Sequence, residues 1–224
     1  MEKKYYHAYD DRYRQVHSLG LQWSSYEPSK IVSQTMARYA VTKDHHILEL
    51  GCGEGRDAFY LLDGGFSLMA TDISPEAIAY CRGKMPEKAS SFRVLNCIGG
   101  ELEEQFDFIY AVAVIHMLVE QEDRDGFYNF IRNHLKSGGV ALIGTMGDGT
   151  VERQSDVRTA FDRQKRIHEA TGKELQLAGT SCRMVSFPAF LQEISQNGLE
   201  TIEHGLTAVE PDFPVMMYAV VKKS

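Results

Sequence analysis

Three glycines within five residues, Gly51, Gly53 and Gly55, follow the apolar run Ile47 to Leu50 and precede Arg56, giving the string ILELGCGEGR over residues 47–56. Glycine lets the backbone bend sharply and approach a ligand without side-chain interference, and the free N–H groups that open the next helix favour a carboxylate or a phosphate. The same string also serves as a plain tight connection between a strand and a helix. Asp72 lies 17 positions after Gly55, at the end of the next apolar run, where a carboxylate can accept from both hydroxyls of a ribose lying across a sheet; an exposed loop aspartate is its other reading. Glu49 sits just before the turn, at a buried strand end, an awkward place for a charge unless it serves a cation or ties the loop. Arg56 stands where a GxGxxG string would have its third glycine, so the pyrophosphate of a nicotinamide dinucleotide is poorly served.

The elements that must position these groups alternate. The spacing predicts a helix over Ser29–Ala40, a strand over Ile47–Leu50, a helix over Arg56–Leu62 and a strand over Ser67–Thr71. Ser74 and Pro75 then supply a cap and a first-turn proline for a helix through about Lys84. Strands are predicted at Phe92–Leu95, Phe108–Ile115 and Val140–Gly144, with a helix near Asp123–Leu135 stopped by Ser137, Gly138 and Gly139. This alternation argues for an α/β fold with a mostly parallel sheet covered on both faces. Residues 146–185 break the rhythm and read as a polar insertion with one helix, about Asp156–Ala170, apolar at Val157, Phe161 and Ile167. A helix over Phe187–Asn197 and two strands, Leu199–Leu206 and Val215–Val221, close the chain as an antiparallel hairpin at the sheet edge.

Composition narrows the function. With 224 residues, 43% of them hydrophobic, the chain can bury one substantial core. Acidic side chains outnumber basic ones 31 to 24, which leaves no electrostatic footprint for a nucleic-acid backbone. No apolar run approaches the roughly 20 residues that cross a bilayer, and the first residues lack the apolar core of a signal peptide, so the expectation is a cytoplasmic protein without a membrane partner. Cys52, Cys81, Cys97 and Cys182 form no CxxC pair, so no metal is expected; Cys52 as a nucleophile is the lesser reading of a residue whose backbone makes the turn.

ILELGCGEG followed by ATDIS over residues 70–74 resembles the first two motifs of class I, Rossmann-like S-adenosylmethionine-dependent methyltransferases, and residues 107–118 and 135–140 resemble that family's later strand motifs, in the correct order. Within the class, the turn with Phe59-Tyr60-Leu61-Leu62 after it, together with Trp23 and Pro28, is similar to the tellurite-resistance and thiol methyltransferase group. The resemblance implies a doubly wound, seven-stranded sheet with an antiparallel edge hairpin and an N-terminal helical lid. It implies one domain over residues 1–224: lid 1–44, cofactor-binding half 45–145, substrate-covering insertion 146–186, and C-terminal helix with hairpin 187–224. It also implies S-adenosyl-L-methionine as cofactor, with S-adenosyl-L-homocysteine as product. Gly51, Cys52 and Gly53 would contact its methionine part, with Gly55 and Arg56 completing the turn. Glu49 would lie near its ammonium, Asp72 would bind the ribose, and Ile73 would pack on the adenine. Many members carry an Asp after the third strand; here Asn96-Cys97 stands there, with Asn96 or a backbone group as the adenine partner and Ala111 on the neighbouring strand.

A sulfonium methyl is already electrophilic, so the chain has mainly to align a nucleophile and exclude water. His116 is the candidate base, its alternative being a wall or core histidine. Tyr5, Tyr6, Tyr9 and Trp23 of the lid and Met146 and Arg183 of the insertion are the candidate acceptor contacts, against a structural role for the aromatics and a solvated one for the arginine. The expected partner is a small-molecule methyl acceptor, with the chain a monomer or homodimer. A protein or RNA methyltransferase and a non-catalytic cofactor-binding module are the alternatives.

Overall fold

The computed structural model describes residues 3–168 and 171–224. In chain order the strands are β1 (His46–Leu50), β2 (Ser67–Asp72), β3 (Phe92–Val94), β4 (Phe106–Val112), β5 (Leu135–Met146), β6 (Arg153–Gln154), β7 (Arg163–Ile167), β8 (Glu174–Ala178), β9 (Arg183–Met184), β10 (Leu199–Val209) and β11 (Phe213–Lys223). The helices are α1 (Ala8–His17), α2 (Lys30–Arg38), α3 (Arg56–Asp63), α4 (Pro75–Lys84), α5 (Gln121–His134) and α6 (Phe187–Gln196). Seven strands form one sheet in the order β10-β11-β5-β4-β1-β2-β3. Strands β1 to β5 run parallel, whereas β11 is antiparallel to β5 and to β10. The order reverses between β1 and β4, which places a ligand crevice beyond their carboxyl ends.

Both faces of the sheet are buried. Leu48, Leu50, Ile109, Ala111 and Ile143 pack with α5 and α6 on one side, and Ile47, Phe108, Tyr110 and Leu142 pack with α2 and α3 on the other. Helix α4 begins where Ser74 Oγ accepts from the Ala77 N–H, with Pro75 at the first helical position, as its sequence requires. Among the described residues no helix is long and apolar enough to cross a membrane.

Three expectations are corrected. The helix over Asp156–Ala170 does not form: a single 3-10 turn, Val157–Thr159, leads into β7, which pairs with β8, while residues 169–170 lie outside the described residues. Val157, Phe161 and Ile167 do not share a helical face, and Ile167 is exposed; the informative pattern is the alternation in β8, where Leu175 and Leu177 pack with Val16, Leu21 and Trp23. Second, the strand expected over Phe108–Ile115 stops at Val112. Ala113 adopts a left-handed φ of 61°, and Ile115–Met117 form a 3-10 turn that carries His116. Third, α5 ends at His134, ahead of Ser137-Gly138-Gly139, and those residues belong to the long strand β5.

One buried ion pair joins the layers. Fully buried Arg124 of α5 donates from Nε and Nη2 to Glu193 of α6, and from Nη1 to the carbonyls of Ile115 and Leu118, while the Tyr128 hydroxyl also donates to Glu193. Replacing one partner strands the other charge in a low-dielectric core. Glu193→Ala is therefore expected to lower the unfolding free energy by about 3–5 kcal/mol, read as a shift of the urea midpoint at unchanged slope; an unmoved midpoint would show that the pair contributes nothing.

Candidate active site

The glycine turn is built for close approach. Gly51 and Gly53 have φ of +72° and +52°, and a Cβ added at Gly51 would lie 2.5 Å from Val114 Cγ2, one at Gly53 2.7 Å from the Tyr13 hydroxyl. Gly55, φ +85°, is blocked by the Phe59 ring in the same way. Asp72, at the end of β2, accepts from the Gly53 N–H at 2.9 Å through one oxygen and from the Ser74 N–H at 2.8 Å through the other. Each oxygen retains an acceptor site, which fits a vicinal diol. Burial raises the Asp72 carboxyl, and the N–H donors of Ser74 and Gly53 oppose that rise.

Gly51 and Asp72 line one cavity with Tyr6, Tyr9, Tyr13, Ile73, Leu95, Asn96, Cys97, Ile98, Val114, Met117 and Leu118. Its walls come from the carboxyl ends of β1 to β4 and from the N-terminal segment, whose tyrosines at 6, 9 and 13 recur at helical spacing and face the turn. The cavity holds about 70 Å³, below the roughly 300 Å³ lower bound of ordinary small-molecule sites.

Carboxylates tie that segment down. Glu54, 2% exposed inside the glycine turn, accepts from the N–H groups of Trp23 and Ser24, from Ser24 Oγ, and faces His17 Nε2 at 2.8 Å. Asp10 of α1 accepts from Ser74 Oγ at 2.6 Å, at the start of α4. The Tyr5 hydroxyl donates to Asp123 and accepts from the N–H groups of Val119 and Glu120. The sequence reading passed over Glu54 and Asp10. A charged residue inside a glycine turn was the available signal, but its partners lie about 30 residues away in the chain.

The structure brings Gly51, Asp72, Ile73, Asn96, Cys97, Tyr6 and Tyr9 together, and sets the other candidates apart. Glu49 is 5% exposed behind the turn, paired across the strands with Tyr110; burial, then Asp57, pushes its carboxyl well above the usual range, and the neighbouring Tyr110 hydroxyl opposes that rise. Cys52 turns its thiol into the core beside Cys81, whose proximity and burial raise it. Arg56 pairs with Asp212 at 3.0 Å and lines a separate groove with Tyr26, Pro28 and Phe59. Ala111 is buried within β4. The Trp23 ring lies under the Arg12 guanidinium, and Met146 Sδ rests 3.7 Å from Cys182 Sγ. Arg183 donates to the Val119 carbonyl, Gln121 and Glu193. Asn96 Oδ1 accepts from the Ile98 N–H, so its amide NH₂ is the end left for a neighbour.

His116 is 3% exposed, with Nδ1 unpartnered and its ring packed edge-on to Phe213. Burial, then the Arg124 charge, lowers it from 6.5 to about 3. The unfolded chain thus takes up a proton near pH 6.5 that the folded chain refuses until about pH 3, so stability falls as pH drops through that window. His116→Gln is expected to flatten the slope of unfolding free energy between about pH 6 and pH 4 by about 1.4 kcal/mol per pH unit; parallel wild-type and variant profiles would contradict it.

Comparison with known proteins agrees with this geometry. Residues 48–141 match the family model described as a methyltransferase domain. "Hemagglutinin 1" of Eikenella corrodens is 31% identical over 101 residues, covering 43% of this chain and 32% of that protein. "Probable S-adenosyl-L-methionine-dependent methyltransferase TehB" of Haemophilus influenzae is 28% identical over 100 residues, covering 43% of this chain and 34% of that protein. The match thus spans about a third of the length of these curated relatives. The CcbJ methyltransferase from Streptomyces caelestis superposes with a TM-score of 0.70 at 16% identity, over 97% of this chain and 98% of that one, and so has the same fold. Residues 48–141 are thus similar to a methyltransferase domain, and the seven-stranded sheet with its crevice at the switch point is the fold that solved methyltransferases share.

Proposed function

We propose that this chain binds S-adenosylmethionine in the cavity beneath α1 and directs its methyl group onto a small-molecule acceptor by in-line displacement. The observation that carries this reading is the convergence of a turn bare of side chains at Gly51 and Gly53 with a carboxylate, Asp72, that has an acceptor site free on each oxygen. Bound there, the cofactor supplies an electrophilic methyl on a sulfonium.

The chain's own residues do the rest. Asp72 accepts from the ribose hydroxyls, and Gly51 and Gly53 admit the methionine carboxylate. Ile73, Leu95 and Ile98 offer apolar surface to the adenine, and the Asn96 amide offers N–H to its ring nitrogens. Tyr6, Tyr9, Met117 and Leu118 close the acceptor side and exclude water, which strengthens every electrostatic contact inside. His116, outside the cavity lining and held neutral by burial, takes no part in this reading. The four cysteines are free thiols, which suits the cytoplasmic location this reading assigns.

Calorimetry with S-adenosylhomocysteine tests the reading. Binding should be saturable and about 10- to 100-fold weaker in Asp72→Ala, the worth of hydrogen bonds to a charged acceptor. Absence of binding, or equal affinity in the variant, would overturn it.

A further inference from the structure

Resting on that reading, the charge inventory of the cavity points to the class of acceptor. The only charged side chain among its lining residues is Asp72; no Lys, Arg or His is among them. The arginines that pack nearby are committed elsewhere. Arg12, 5.4 Å from the Tyr9 ring, donates to the carbonyls of Ala178 and Gly179 and to Thr180 Oγ1. Arg183 is spent on Val119, Gln121 and Glu193.

An anionic acceptor such as a carboxylate would enter without a counter-charge, past Asp72. A phenol or thiol would need a base, and the lining offers none: Tyr9 and Tyr13 hold their protons through burial, and Cys97 is pushed up to about 12 by burial and by Asp72. Three tyrosines, Tyr6, Tyr9 and Tyr13, line the same cavity, and tyrosine rings attract cations.

We propose that the acceptor is an amine, held between Tyr6, Tyr9, Met117 and Leu118, whose methylated, cationic product meets aromatic side chains and no positive charge. The neutral amine's lone pair forms the new N–C bond as the C–S bond breaks. The bonding pair leaves on sulfur, the positive charge moves from sulfur to nitrogen, and the excess proton passes to water. No protein base is consumed.

The test uses the full chain saturated with S-adenosylhomocysteine, titrated calorimetrically with benzyltrimethylammonium, benzyl alcohol and phenylacetate. The ammonium should bind at least about tenfold tighter than the other two. Met117→Lys, which adds a cation to the wall, should abolish or reverse that order, compared at S-adenosylhomocysteine concentrations that saturate each variant. Tyr9→Phe should keep the preference, and Tyr9→Leu should reduce it by about threefold. Failure of S-adenosylhomocysteine itself to bind would sink the underlying reading. Its binding with phenylacetate preferred, with all three equal, or with no ammonium bound at millimolar concentration would overturn the amine assignment alone.

Discussion

Everything at this site depends on a stretch of main chain that has no room for a side chain. Between β1 and α3 the backbone passes through left-handed conformations at Gly51, Gly53 and Gly55, and each is closed off by a different neighbour: Val114 from the loop after β4, the Tyr13 hydroxyl from α1, and the Phe59 ring from α3. A β-carbon at any of them would meet both a conformational penalty and a contact under 3 Å. The turn is therefore held from three directions. The Gly53 N–H is aimed at Asp72, and the Cys52 N–H at the Thr71 carbonyl, so β1 and β2 end in register with one another.

Carboxylates then carry the order outward. Asp72 ties the turn to β2, Glu54 ties it to residues 23–24 and to His17, and Asp10 ties α1 to the first turn of α4. Each accepts from N–H or O–H donors, Asp10 also from the Arg14 guanidinium, and these contacts add to the burial of Tyr5, Tyr6, Ala8 and Val16 in fixing the segment over the crevice. The insertion completes the cover from the other side. Leu175 and Leu177 of β8 pack against Val16 of α1, and Arg12 donates to the carbonyls at the end of β8. The N-terminal segment and β8 thus pack as one layer, although more than 150 residues separate Arg12 from its acceptors.

The Arg124 and Glu193 pair does comparable work below. Its donors reach the carbonyls of Ile115 and Leu118, so the 3-10 turn that places Val114, Met117 and Leu118 on the cavity wall is fastened to two helices. His116 pays for that fastening, buried beside a fixed positive charge and held neutral. Its position in the chain suggested a base; in the structure it lies outside the cavity lining, packed against Phe213.

What the amino-acid order determined by itself is local. Alternating apolar runs and caps set the parallel strands and their helices, and the glycine string with Asp72 marked the crevice, because φ preferences, hydrophobic period and strand-end position are properties of neighbouring residues. The tertiary structure alone decided the rest. The β7 and β8 ribbon replaced an expected helix because its buried leucines answer to α1 and not to their own neighbours. Arg56 went to Asp212, Arg183 to Glu193 and Tyr5 to Asp123, each partner between 10 and 156 residues away. Such pairings are chosen by which groups lose water together when the layers close, and no spacing along the chain encodes that.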